Sequence, residues 1–85
     1  MYRIFIKNKA EKEIASLPPA VADRIAAAID GLAENPRQMG SKKLQGYANV
    51  FRIRVGDYRI VYSIEDAVLT VEVIKIGHRQ SIYKN

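Results

Sequence analysis

The chain has 85 residues, of which 48% are hydrophobic, with five glycines, three prolines, one histidine and no cysteine. This composition indicates one domain spanning residues 1–85, because so short and apolar a sequence fits neither a disordered chain nor two separate cores. Without cysteine, a disulfide framework and a thiolate metal site are excluded. One histidine adds too little for a transition-metal site, so we predict neither a metal nor another cofactor.

The formal net charge is +5, and the basic excess lies in the C-terminal part of the chain. Residues 1–36 carry five basic and five acidic side chains, whereas residues 37–85 carry nine and four. This asymmetry is typical of a protein with a polyanionic partner, but excess basic residues also keep small domains soluble, and charge alone does not decide between these interpretations. Apolar runs are too short for a membrane span or a signal peptide, so we expect a cytoplasmic protein without membrane contact.

Two short patterns predict the first strand and the first helix. Apolar and charged residues alternate over residues 2–7, which is typical of a strand with two different faces. Asn8 is followed three residues later by Glu11, a spacing with the character of a capping box, which predicts a helix over about residues 9–17. Pro18 interrupts that helix, because proline has no amide hydrogen to donate.

A second, amphipathic helix is predicted from Pro19 to the Asn35-Pro36 pair. Proline suits the first helical turn, whereas the residue before a proline disfavours the helical conformation, so the helix ends near Asn35. Apolar side chains recur at helical spacing along it: Val21, Ile25, Ile29 and Leu32. We interpret this stripe as part of the core and not as a ligand site.

A basic loop and three further strands complete the predicted fold. Residues 37–49 are expected to form a loop that carries Arg37, Lys42 and Lys43. Segments rich in β-branched and aromatic residues then predict three strands: Val50–Val55, Tyr58–Ile64 and Val68–Ile76. The expected fold class is α+β in the order β-α-α-β-β-β. It has an N-terminal strand, a two-helix hairpin and a three-stranded antiparallel meander, with the helices on one sheet face and the other face open.

The hairpin at Gly56-Asp57 is predicted to collect arginines on the open face. A two-residue loop there sets Arg54 opposite Arg59, and alternation puts Arg52 on the same face. Apolar residues then share the helix side: Phe51, Ile53, Val55, Tyr58, Ile60 and Tyr62. Like charges directly opposite destabilise a hairpin, which suggests a function such as binding a phosphate chain, although long arginines also splay into water without any function.

The register of the last strand depends on its turn. If Leu69, Val71 and Val73 are buried, an even loop at Glu65-Asp66 places Glu72 opposite Arg59. Glu72 would then orient that arginine or form a structural salt bridge, and we assign it no catalytic role.

The segment Phe51–Tyr62, followed by Val73–Arg79 and then Tyr83, resembles the C-terminal half of RelE-family toxins. A weaker resemblance extends over the whole chain, through the leading strand, the helical pair and Leu44-Gln45-Gly46. It implies a toxin of a type II toxin-antitoxin pair that cuts messenger RNA in the decoding site of the ribosome and so inhibits translation. The implied reaction is attack of a ribose 2'-hydroxyl on the adjacent phosphate, without a metal.

The resemblance also implies roles for five side chains. Arg59 and Arg79 would hold the scissile phosphate and stabilise its developing charge, while Arg52 and Arg54 would add positive field. Tyr83 would stack on a base or help to move a proton.

One departure from the family pattern concerns the proton acceptor. Well-studied relatives carry lysine where this chain has Arg52 and Arg54, and arginine does not release its proton. Histidine is the side chain type that normally changes charge near neutral pH, so His78 is a candidate acid or base in their place.

Partners and alternatives follow from the same features. Arg37, Lys42 and Lys43 are candidate RNA-binding residues. The resemblance implies a cognate RelB-like antitoxin in a hetero-oligomer, besides the ribosome and messenger RNA. The antitoxin's acidic segment would cover the arginines or displace the C-terminal tail. The alternatives are a ParE-like poison of DNA gyrase without nuclease activity, and a plain nucleic-acid-binding module.

Overall fold

Two helices lie on one face of a five-stranded sheet in the computed structural model, which describes residues 1–78. The elements, in chain order, are β1 (Arg3–Ile6), α1 (Asn8–Ala15), α2 (Pro19–Glu34), β2 (Lys42–Lys43), β3 (Val50–Val55), β4 (Tyr58–Glu65), a 3-10 turn (Asp66–Val68) and β5 (Thr70–His78). This arrangement confirms the α+β class and the helices on one sheet face. None of the helices in this part of the chain is long and apolar enough to cross a membrane.

The strands lie in the order β1-β5-β4-β3-β2. Strands β2 to β5 pair with their neighbours in antiparallel fashion, whereas β1 pairs with β5 in parallel, with Ile4 opposite Val71. The sheet is therefore mixed, because the N-terminal strand joins the far edge of the meander.

The core lies between α2 and the helix-side face of the sheet. Helix α2 contributes the buried residues Ile25, Ile29 and Leu32, three members of its predicted apolar stripe. The sheet contributes residues from the helix-side face of its three long strands: Ile53, Ile60, Tyr62, Ile64, Val71, Val73 and Ile76. Tyr62 is fully buried, and its hydroxyl donates a hydrogen bond of 2.7 Å to the carbonyl oxygen of Pro36.

The first helix begins and ends earlier than predicted. Asn8 does not cap it: Asn8 is its first residue, the capping position is Lys7, and no side chain there makes a capping hydrogen bond. The helix ends at Ala15, where the Ser16 hydroxyl donates to the Glu13 carbonyl at 2.9 Å. Helix α2 starts at Pro19 and ends before Asn35, as predicted.

The predicted loop over residues 37–49 contains a short strand. Lys42 and Lys43 form β2, opposite Arg52 and Phe51 of β3. Two residues are too few to show an alternating pattern, so the strand arises from its pairing with β3 and not from a local sequence signal.

The register of the last strand was predicted wrongly. Leu69 is 51% exposed with φ 46°, at the end of a four-residue connection over residues 66–69. Strand β5 therefore starts at Thr70, and an irregularity between Val61 and Tyr62 leaves Ile74 outside the paired register. Glu72 lies opposite Ser63, and Gly77, not Glu72, lies opposite Arg59.

Candidate nucleic-acid interface

A pocket of about 320 Å³ opens on the sheet face away from the helices. Four basic side chains and one glycine line it: Lys42, Arg52, Arg54, Arg59 and Gly40. The three arginines predicted to share the open face thus lie together around one concavity, which we call the arginine pocket.

Three neighbouring strands place these side chains. The Gly56-Asp57 turn gives the predicted register, with Arg54 opposite Arg59 and Gly56 at φ 60°. Strand β2 adds Lys42 directly opposite Arg52. Because opposite residues in a sheet project from the same face, both pairs point into the same space.

The arginines differ in burial. Arg59 is only 8% exposed and lies deep in the pocket, whereas Arg52 is half-buried. Arg54 is exposed, and its Nε donates a hydrogen bond of 3.0 Å to the carbonyl oxygen of Gly56. A guanidinium keeps its proton when buried, so Arg59 holds a permanent positive charge where solvent screening is weak.

Two acidic side chains at the end of β4 and in the turn after it are engaged away from the arginine pocket. None of the described residues lining the pocket is acidic. Glu65 accepts a hydrogen bond from Asn49, and Asp66 pairs with Arg37. The pocket therefore presents a concentrated positive field, which suits an anion with several oxygen acceptors, such as a phosphodiester.

Comparisons with known proteins agree with this picture. The family described as "ParE toxin of type II toxin-antitoxin system, parDE" matches residues 4–83. The chain belongs to this toxin family. Toxin RelG of Mycobacterium tuberculosis is 30% identical over 98% of the chain and 97% of the relative. The mRNA interferase toxin RelE of Escherichia coli K12 is 28% identical over 93% of the chain and 84% of the relative.

Solved RelE structures share the fold of the toxin chain. The intact RelBE toxin-antitoxin complex of Escherichia coli matches with a TM-score of 0.81 and 28% identity, over 92% of this chain and 96% of that one. The RelBE2 complex of Mycobacterium tuberculosis matches with a TM-score of 0.82 and 28% identity, over 92% and 98%. The resemblance to RelE toxins seen in the sequence is thereby confirmed.

Arg37 lies outside the arginine pocket of the toxin. Its guanidinium donates two hydrogen bonds to the Asp66 carboxylate, at 3.0 and 2.8 Å, and lies 5.6 Å from the centre of the Phe51 ring. Tyr2 donates to the same carboxylate at 2.7 Å. These hydrogen bonds, from Arg37 first and Tyr2 second, lower the pKa of Asp66 to about 2. We call Tyr2, Arg37 and Asp66 the Asp66 clasp.

The other predicted site residues lie apart from the pocket or outside the described residues. Lys43 lies opposite Phe51, which places it on the helix-side face. His78 lies opposite Tyr58 on that same face, with the two rings edge to face and their centroids 5.4 Å apart. This position places the His78 ring on the opposite sheet face from the arginine pocket, and its acid-base role stays a prediction. Arg79 and Tyr83 lie outside the described residues.

Two features of the open face were not predicted. Gly40 lines the arginine pocket with φ 93°, a backbone conformation that glycine adopts readily. Beside the pocket, a second recess of about 270 Å³ is lined mainly by apolar side chains: Leu44, Tyr47, Val50, Val61, Ile74 and Lys75. The signal for this recess was the adjacent Val73-Ile74 pair, which breaks the apolar alternation of the last strand.

Proposed function

We propose that this protein is the toxin of a type II toxin-antitoxin pair and acts as an endoribonuclease that cuts messenger RNA on the ribosome. The arginine pocket is the observation that carries the proposal, because several fixed positive charges converge on one solvent-facing site. The relative from Escherichia coli K12 is named an mRNA interferase toxin, which supports RNA as the substrate.

The reaction is an internal transesterification. The ribose 2'-oxygen forms a bond to the adjacent phosphorus while the bond from phosphorus to the 5'-oxygen breaks. A base takes the proton of the 2'-hydroxyl, and the leaving 5'-oxygen takes up a proton from an acid or from water. The products are a 2',3'-cyclic phosphate and a 5'-hydroxyl. Negative charge grows on the phosphate oxygens in the transition state, and preorganised donors lower its free energy more than that of the ground state.

The four basic side chains of the pocket take three parts in this proposal. Arg59, held deep in the pocket, binds the scissile phosphate. Arg52 and Arg54 stabilise the charge that develops, and Lys42 at the exposed rim contacts the RNA backbone. Because arginine keeps its proton near neutral pH, these arginines act as electrostatic stabilisers and not as the base.

The resemblance assigns the remaining roles to residues just beyond β5. Arg79 shares the phosphate with Arg59, and Tyr83 stacks on a base or moves a proton. The ribosome supplies what so small a protein does not: single-stranded message fixed in one conformation, so that the attacking oxygen and the phosphorus are already close. The proposed reaction, with charge stabilised by arginines and the message positioned by the ribosome, needs no metal.

A RelB-like antitoxin is the proposed partner. The solved relatives include the RelBE complexes from two bacteria, and an archaeal RelE-RelB complex from Pyrococcus horikoshii. An acidic segment of the antitoxin would cover the arginine pocket and exclude RNA through complementary charge. Toxin and antitoxin would then form a hetero-oligomer in which the nuclease is silent.

The direct test is cleavage of a defined message on programmed ribosomes. We expect the purified toxin to cut the message in the decoding site, and Arg59→Ala or Arg79→Ala to reduce the single-turnover rate at least a hundredfold, on the order of what one lost oxyanion donor costs. Arg3→Ala is the matched control, since Arg3 is an exposed arginine of strand β1 outside the pocket. An intact message in the presence of folded wild-type protein would refute the nuclease.

A gyrase poison is the second candidate, because the matching family is described by the name ParE. Such a toxin performs no chemistry on RNA. Expression would then produce double-strand breaks in DNA and leave messages whole, whereas the nuclease would cut messages and leave DNA intact. Measuring both in the same culture separates the two functions.

A further inference from the structure

Helix α1 completes one edge of strand β5 after the neighbouring strand has ended. Strand β1 pairs with β5 only from Thr70 to Val73, and the amide of Lys7 makes the last contact by donating to the Val73 carbonyl at 3.0 Å. The chain then turns into α1, which packs against the rest of β5. Strand β5 continues to His78 without β1 beside it.

A side chain of α1 takes the place of the missing strand. The Oε1 atom of Glu13 accepts a hydrogen bond of 2.8 Å from the backbone amide of Ile76. Glu13 is half-buried, and a buried amide without an acceptor is costly, so this bond fixes the strand to the helix.

The hydrogen bond between Glu13 and Ile76 lies next to the irregular part of β5. Ile74 falls outside the regular pairing with β4, and such bulges bend a strand and change the direction of the residues that follow. Pairing resumes at Lys75 opposite Val61, and Ile76 follows opposite Ile60 with its side chain buried in the core. The hydrogen bond from Ile76 to Glu13 therefore fixes β5 directly after the bulge, where the strand has changed direction.

We propose that Glu13 is a positioning residue for the nuclease site, acting through the end of strand β5. This inference rests on the proposed function. Gly77 lies opposite Arg59 at the arginine pocket, and the chain reaches Arg79 two residues later. Releasing Ile76 would let this end of the strand shift relative to Arg59, and displacements on the order of 1 Å reduce rates up to about a hundredfold.

The experiment compares three substitutions at Glu13 with a control on the same helix. Glu13→Gln keeps an oxygen acceptor, Glu13→Asp withdraws it by one methylene, and Glu13→Ala removes it. Glu11→Ala changes an exposed acidic residue of α1 and serves as the control. Two measurements are made on folded protein: single-turnover cleavage on programmed ribosomes, and hydrogen exchange of the Ile76 amide by NMR.

We expect Glu13→Ala to lower the maximal cleavage rate about tenfold to a hundredfold, with little change in the ribosome concentration that gives half-maximal rate. Glu13→Asp should show a smaller loss, and Glu13→Gln should remain within about threefold of wild type because it restores the acceptor. Exchange at Ile76 should accelerate in the same order. Glu11→Ala should match wild type in both measurements.

Two outcomes would overturn the inference. One is fast exchange at Ile76 in Glu13→Ala together with unchanged cleavage, which would make the bond purely structural. The other is a loss in Glu13→Gln as large as in Glu13→Ala. If wild-type protein does not cut at all, the proposed function fails, while slow exchange at Ile76 in wild type would still verify the hydrogen bond. If Glu13→Ala does not fold, Glu13→Asp and Glu13→Gln provide the same comparison.

Discussion

The two faces of the β3–β4 hairpin are built from alternate residues of the same two strands, yet they have opposite energetics. On the helix side, Ile53 faces Ile60, and both are buried against the core. On the open side, Arg54 faces Arg59, so two positive charges stand side by side. One face therefore holds the strands together, while the other places a repulsive pair at the arginine pocket.

The magnitudes explain why this arrangement is tolerated. Fully burying an isoleucine stabilises a fold by about 1.5–3 kcal/mol, whereas a like-charged cross-strand pair costs up to about 1 kcal/mol. The apolar face thus more than offsets the repulsion across the same hairpin. Sequences often break such local rules where a function requires it, and on this hairpin the repulsive pair lies one residue away from the apolar pair.

Substituting the helix-side face should have the largest effect on stability. Ile60 is fully buried, so Ile60→Ala loses apolar contacts and leaves a cavity, and we expect it to lower the free energy of unfolding by about 2–5 kcal/mol. Urea unfolding followed by circular dichroism measures this change. Val68→Ala serves as the control, because Val68 is exposed and should cost less than about 0.5 kcal/mol. Equal effects of the two substitutions would contradict the assignment of the core.

Removing a single buried hydroxyl should have the next largest effect on stability. Tyr62→Phe removes the donor to the Pro36 carbonyl and leaves that oxygen without its partner at the edge of the core. We expect a loss of about 1–3 kcal/mol in the free energy of unfolding, measured in the same urea titration. Tyr47→Phe removes an exposed hydroxyl and should be close to neutral. If Tyr62→Phe left the free energy of unfolding unchanged, the hydrogen bond to Pro36 would contribute little to stability.

The contrast between the two faces of the β3–β4 hairpin could be predicted from the sequence, because apolar and charged residues alternate regularly there. Gly56-Asp57 allows only a short loop, so the positions of Arg54 and Arg59 followed from counting. At the far end of β4 the same counting failed. The connection there has four residues and not two. In addition, Val73 and Ile74 are two apolar residues in succession, and this break in the alternation corresponds to the irregular pairing of β5 with β4.

Part of the site depends on contacts that no local pattern reports. Lys42 reaches the arginine pocket because β2 pairs with β3, and two residues carry no periodicity. Arg37 donates to Asp66, 29 positions later in the chain, and its predicted contact with RNA stays a prediction. Both outcomes depend on tertiary pairing, which propensity and spacing do not encode.

Neutralising one arginine should separate stability from activity. Arg54→Gln removes the repulsion with Arg59 but loses the hydrogen bond to Gly56, so we expect a net gain of a few tenths of a kcal/mol in unfolding free energy. The cleavage rate should nevertheless fall at least about tenfold.

The control for Arg54→Gln is Arg3→Gln, on strand β1 opposite the uncharged Thr70. This change loses only the contact of Arg3 with the Phe5 ring, so it should not stabilise the protein, and it should leave cleavage unaltered. A clear destabilisation by Arg54→Gln would mean that the facing arginines do not repel each other, and that the energetic contrast between the two faces of the hairpin is incorrect.

Acid should weaken the Asp66 clasp and leave the charge of the arginine pocket unchanged. Because folding lowers the pKa of Asp66 from 3.8 to about 2, the clasp stabilises the protein fully above pH 4 and loses that contribution as the pH falls from about 4 to 2. Urea midpoints of wild type and Asp66→Asn should therefore differ at pH 7 and converge near pH 2. The effect is small, since the pair is about half exposed to solvent.

Other carboxylates titrate in both proteins, so only the difference between them reports on the clasp. Arginines stay protonated throughout, hence Arg54→Gln should retain its small gain across the same range. A difference between wild type and Asp66→Asn that persisted at pH 2 would show that Asp66 acts through packing and not through its charge.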